Sequence, residues 1–173
     1  MKKINLKNHI RDIPDFPKPG IIFKDITTLL GHKQAFKNAI DSMAVKFKSK
    51  KIDKVVAVEA RGFIFGAAVA HKLGAGFVPV RKKGKLPWKT NSATYELEYG
   101  TDTLFMHTDA IKEGERVLIV DDLLATGGTV KATIDLIKQQ GGKICGIAFL
   151  IELGFLKGKE KLKDYLIYSL IKY

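Results

Sequence analysis

One stretch of the chain, from Val117 to Thr129, constrains its fold more than any other. Val117-Leu118-Ile119-Val120 is apolar at every position, the pattern of a strand covered on both faces. Asp121-Asp122 follow, then Leu123-Leu124-Ala125-Thr126-Gly127-Gly128-Thr129, after which Ile134, Leu136 and Ile137 recur at helical spacing. The turn therefore opens a helix, where free N–H groups and the positive end of the helix dipole favour a phosphate dianion. Glycine lets the backbone come close, and Thr126 and Thr129 add hydroxyl donors. The two carboxylates at the strand end can accept hydrogen bonds from sugar hydroxyls or hold a hydrated magnesium ion. Together these residues read as a ribose-phosphate site. The plainer alternative is a strand-to-helix corner with an acidic cap, yet turning the chain requires neither the carboxylate pair nor the doubled glycine. Rival phosphate motifs fail: GxxxxGK[ST] does not occur, and after Gly74-Ala75-Gly76 a proline, Pro79, stands where a dinucleotide motif needs its third glycine.

The surrounding chain alternates in the same style. Val55-Val56-Ala57-Val58 predicts a strand, residues 62–73 a helix, and Phe77-Val78-Pro79-Val80 a second strand, which is a βαβ unit. A second unit joins strand 116–121 through the next helix to the apolar run 144–151. The expected fold class is α/β, a twisted and mainly parallel central sheet flanked by helices. Ligands should then sit at the C-terminal edge of the strands. Glu59-Ala60-Arg61-Gly62, Asp121-Asp122 and the loop after Val80 all fall on that edge.

At 173 residues and 46% hydrophobic content the chain suits one well-buried domain, residues 1–173. No run approaches the length of a membrane span, and no apolar stretch follows the first lysines, so neither membrane nor export is expected. Cys145 stands alone in an apolar run, which excludes an internal disulfide and suggests a small buried hydrophobe. His9, His32, His71 and His107 show no zinc spacing. The net charge of +12 is scattered along the chain and admits a polyanionic substrate or a nucleic acid. No helix-turn-helix, zinc-finger or RNP pattern supports nucleic acid.

Ala35, Phe36, Ala39, Ile40, Met43, Ala44 and Phe47 mark an amphipathic helix packed on the core. Ahead of it, the proline-punctuated segment from Pro14 to Phe23 cannot be helical. It reads as a hood over the crevice or as an extended arm against the core, within an N-terminal arm of about residues 1–34. Residues 93–108 predict an antiparallel ribbon with Tyr95, Leu97 and Tyr99 on one face, and residues 165–170 a final strand.

Two further segments suit anions. Glu59-Ala60-Arg61-Gly62-Phe63 puts an arginine where a helix begins, so that its guanidinium and nearby N–H groups could hold a diphosphate. A simple ion pair between Arg61 and Glu59 is the alternative. Arg81-Lys82-Lys83-Gly84-Lys85-Leu86-Pro87-Trp88-Lys89 is basic and unsuited to regular structure, either a solvated loop or a flexible lid, with lid and ribbon spanning about residues 81–100.

With these residues in view, the chain resembles the type I phosphoribosyltransferases, among them those that use adenine. The resemblance covers nearly the whole chain and rests on Asp15-Phe16-Pro17-Lys18-Pro19-Gly20, Glu59 to Phe63, Arg81 to Pro87, Leu97-Glu98-Tyr99-Gly100 and Val120 to Thr129. It implies the type I fold with hood and lid, conversion of adenine and 5-phosphoribosyl-1-pyrophosphate (PRPP) to AMP and pyrophosphate with magnesium, and a cytoplasmic homodimer. By position it implies that Ala125, Thr126, Gly127, Gly128 and Thr129 hold the 5′-phosphate. Asp121 and Asp122 would take the ribose hydroxyls or magnesium-bound water, and Glu59, Ala60, Arg61 and Gly62 would line the pyrophosphate site. Arg81 and Lys85 would meet pyrophosphate when the lid closes. Backbone groups of Ile22 and Lys24 would pair with adenine while Phe23 covers the ring. Lys24 departs from the arginine common there, which removes a guanidinium that could stack on the base. Glu98 is implied in proton traffic at the purine, with Tyr99 beside it, although Glu98 could equally just end the ribbon. Two rivals remain: transfer to another base, to which the Asp121–Thr129 loop is blind, and a non-catalytic PRPP-binding regulator.

Overall fold

A computed structural model describes residues 4–96 and 100–173. A seven-stranded sheet forms its centre, assembled from β3 (Lys54–Val58), β4 (Gly76–Lys82), β5 (Thr90–Glu96), β6 (Thr101–His107), β7 (Arg116–Leu124), β8 (Lys143–Glu152) and β9 (Ile167–Lys172). The spatial order is β5-β6-β4-β3-β7-β8-β9. The run β4-β3-β7-β8-β9 is parallel, and β6 and β5 add an antiparallel ribbon at one edge. The α/β expectation therefore holds.

The strands at the centre bury both faces. Val55, Val56 and Ala57 of β3 and Val117 to Val120 of β7 are fully covered, as the unbroken apolar runs require. Helices α2 (Lys33–Phe47) and α3 (Arg61–Leu73) lie with one face, and α4 (Gly128–Gln139) with the other. On α2 the buried positions are Ala35, Ala39, Ile40, Met43, Ala44 and Phe47, the stripe expected from the sequence. Cys145 is half-buried rather than fully enclosed, packed at the rim of the core.

Several boundaries shift from expectation. The ladder to β8 carries β7 through Leu124, so Asp121 and Asp122 lie within a strand rather than at its end. The basic segment begins inside β4, which includes Arg81 and Lys82. The last strand runs Ile167–Lys172, two residues later than its apolar pattern suggests. The proline-rich arm folds as a separate hairpin, β1 (Arg11–Pro14) against β2 (Ile22–Asp25), followed by the single-turn helix α1 (Thr27–Leu30).

Candidate active site

Crossover geometry brings the C-terminal ends of β3, β4 and β7 together, and between them lies a crevice of about 290 Å³. Glu59, Ala60, Arg61, Asp121, Asp122 and residues 125–129 line it. Sequence motifs from two separate segments, 59–61 and 121–129, thus converge on one site. Lys82, Tyr95 and Leu104 complete the wall. Lys82 comes from the basic segment and Tyr95 from the patterned face of the ribbon, whereas Leu104 carries no signal in the sequence that marks it as a site residue.

The turn after β7 has the conformation a phosphate loop needs. Gly127 caps α4 with φ +82°, in the left-handed region that glycine enters without strain, and the helix starts at Gly128. A Cβ at Gly127 would stand 2.8 Å from the Gly158 carbonyl oxygen, and a Cβ at Gly158 would collide with the carbonyl oxygen of Ala125. The loop is thus buttressed by residue 158, a position for which the motif itself carries no signal.

The carboxylate pair is enclosed. Asp121 accepts a hydrogen bond at Oδ1 from the Asp122 backbone N–H at 2.8 Å. Burial, then the charge of Asp122, push the Asp121 carboxyl well above the usual range. Asp122 is also raised by burial, against the opposing pull of Arg61. Gly62 lets the first turn of α3 approach this pair, since a Cβ there would lie 2.6 Å from Asp121 Oδ1.

Arg61 does not pair with Glu59. Its Nη2 is 2.7 Å from Asp122 Oδ2, and its guanidinium lies over the Phe23 ring at 5.0 Å. Glu59 is instead bound to β4: Oε2 accepts from Arg81 Nε at 2.9 Å, and Oε1 accepts from the Lys82 backbone N–H at 2.7 Å. Burial disfavours the Glu59 carboxylate, but the Lys82 N–H and the Arg81 guanidinium outweigh it and the pKa falls. Arg81 also donates through Nη1 to the Lys85 carbonyl at 3.1 Å, which ties the start of the basic segment to its middle. The Lys85 residue itself is exposed, and the Glu59–Ala60 peptide is cis. Glu98 and Tyr99 lie outside the described residues.

The hairpin meets the crevice indirectly, through the contact of Phe23 with Arg61, which lines it. Pro14, with no N–H to donate, stands opposite Ile22, so the hydrogen-bonded pair is Ile13 with Phe23. Alternation then directs the backbone groups of Ile22 and Lys24 away from β1. The Lys24 side chain is buried and bound within the fold, its Nζ 2.7 Å from Asp12 Oδ1.

Among the described residues no group of three or more His, Cys, Asp or Glu side chains converges as a metal site. Two adjacent buried carboxylates, one of them engaged by Arg61, are hard oxygen donors of the kind that suits magnesium.

A family model described as a phosphoribosyl transferase domain matches residues 26–172, and the chain belongs to that family. Within it, relatives matched over nearly their full length include adenine phosphoribosyltransferases. That of Koribacter versatilis is 59% identical over 169 residues, 98% of this chain and 93% of its own. The crystal structure of the Thermoanaerobacter pseudethanolicus enzyme superposes with a TM-score of 0.94 at 56% identity, covering 97% of this chain and 98% of that one. The Saccharomyces cerevisiae enzyme, solved with an imino-altritol bisphosphate and adenine, gives a TM-score of 0.91 at 41% identity over 95% and 96% of the two chains.

Proposed function

We infer that this protein transfers the 5-phosphoribosyl group from PRPP to N9 of adenine, releasing AMP and pyrophosphate in purine salvage. The observation that carries the reading is the meeting, in one crevice, of the Ala125–Thr129 loop, the Asp121-Asp122 pair and Arg61 beneath Phe23. The N–H groups at the start of α4, with Thr126 and Thr129, hold the 5′-phosphate. Asp121 and Asp122 receive the ribose hydroxyls, and Glu59 to Gly62 line the pyrophosphate side.

Asp121 and Asp122 would hold magnesium, which when bound would offset the charge of the phosphates. Attack of N9 on C1′ expels pyrophosphate through a transition state with oxocarbenium character. Arg61, and Arg81 and Lys85 once the basic segment closes as a lid, meet the charge that grows on the leaving group. The carboxylates face the developing positive ribose. Glu98, with Tyr99 beside it, handles the proton at the purine. Glu98→Gln with an undiminished turnover number would remove it from that role.

The hairpin acts as a hood that selects the base. Adenine offers an amino donor and an N1 acceptor, matched by a backbone C=O and N–H of Ile22 and Lys24, whereas hypoxanthine presents the reverse pair. Phe23 covers the ring. The arm of residues 1–34 and the lid and ribbon of residues 81–100 are parts of one domain, and the working unit is a cytoplasmic homodimer. Incubating the protein with PRPP, magnesium and each of adenine, hypoxanthine, guanine and orotate tests the reading. Product from adenine alone, abolished by chelation, is expected. Product from another base would overturn the specificity, and PRPP binding without any product would favour a regulator.

A further inference from the structure

We propose that Asp12, Tyr173 and the ammonium head of Lys24 form a clasp that sets the height of the hood, making Asp12 and Tyr173 positioning residues for the purine base. The inference rests on the hood's role in base recognition given above.

The hairpin is its own two-stranded sheet and shares no ladder with the central one, so its position rests on side-chain contacts and on its continuation into the buried Ile26 and Leu29. Lys24 supplies one of them. Only 9% of it is exposed, and its Nζ lies 2.7 and 2.8 Å from the two Asp12 oxygens and 3.9 Å from the centre of the Tyr173 ring. A buried ammonium needs such partners, and a carboxylate with an aromatic face supplies both charge and quadrupole. Tyr173 is itself anchored to the central sheet. Its N–H donates to the Glu152 carbonyl at 3.0 Å, and its carbonyl accepts from the Gly154 N–H at 2.9 Å. Lys7 covers the same ring, with Nζ 4.2 Å from its centre.

Lys24 therefore faces two ways. Its backbone groups turn away from β1, the side assigned above to the base, while its side chain runs to β1 and to the chain leaving β9. Moving the ammonium moves the peptide that reads adenine. The phosphate loop on β7 and α4 takes no part in the clasp, so loosening it should weaken base binding and spare PRPP. It also explains how lysine serves at this position: the head group builds the scaffold instead of stacking on the base.

The test compares Tyr173→Leu, Tyr173→Phe and Asp12→Asn by steady-state kinetics in both substrates and by amide hydrogen exchange of residues 21–25. Tyr173→Leu should raise the KM for adenine about tenfold, leave the KM for PRPP within about twofold, and speed exchange in the hairpin but not in α4. Tyr173→Phe, which keeps the ring, should restore all three, and Asp12→Asn should behave like Tyr173→Leu. An unchanged adenine KM with unchanged exchange would overturn the clasp, as would equal rises in both KM values. If the unaltered protein makes no AMP, the functional reading fails on that result, and hairpin exchange alone then decides the clasp.

Discussion

Arg61 holds Asp122, with Nη2 2.7 Å from Oδ2, and the same guanidinium lies over Phe23. One side chain thus spans the carboxylate pair of β7 and the N-terminal hairpin. Lysine keeps the charge but lacks the planar fork, so it cannot pair and stack at once. Arg61→Lys should lower kcat/KM for both substrates by roughly ten- to a hundredfold, as weakening a partly buried ion pair together with a cation–π contact would. Steady-state kinetics with each substrate varied in turn checks it.

Gly158 bears on the turn that opens α4, the proposed phosphate loop, through space alone. An alanine there would strike the Ala125 carbonyl, which is backbone and must shift. Gly158→Ala should raise the KM for PRPP at least about tenfold, since small displacements of a positioning loop are costly. The KM for adenine should change less. Equilibrium binding of PRPP to the variant is the direct measurement.

Asp121 is a costly residue for the fold to bury. Its carboxyl is raised by burial and by Asp122, so the fold carries a poorly solvated acid. Asp121→Asn keeps an oxygen for the Asp122 N–H and removes the charge. The variant should melt at a higher temperature than the parent without substrate or metal, while kcat/KM falls by about a hundredfold or more. Thermal melts beside turnover assays would show both.

Asp25 supplies the opposite case. The Thr27 N–H, followed by Arg11 and the Thr27 hydroxyl, lowers its pKa from 3.8 to about 2. Because the folded value lies below the unfolded one, the stabilisation is complete above the unfolded value and is lost as pH falls through the folded one. Asp25→Asn should therefore lower the denaturation midpoint at neutral pH, and the gap to the parent should close as pH drops from about 4 toward 2. A gap independent of pH would show that the carboxylate charge is not what the hairpin uses.

Much of this molecule was legible in the chain. The unbroken run Val117 to Val120 predicted a strand buried on both faces, and β7 is one. The stripe on α2 and the glycine turn before α4 were equally plain, since period and turn chemistry are written within a few residues. The convergence of Arg61 and Asp121-Asp122 followed from parallel topology, because every strand of such a sheet ends at the same edge. Strand ends were less legible: pairing of Leu123 with Ile151 and Leu124 with Glu152 extends β7 past its carboxylates.

By itself the sequence determined the α/β layering, the phosphate-suited turn and the residues that gather at one edge, because these follow from local periodicity and from the chirality of crossovers. Only the tertiary structure decided the partners. Arg61 had a carboxylate two residues away in Glu59, yet it pairs with Asp122 across the strand junction while Glu59 turns to Arg81. Lys24, Tyr173 and Gly158 gained their contacts in the same way. A side chain's partner depends on distances between segments remote along the chain, and packing fixes those distances only when the whole sheet has assembled.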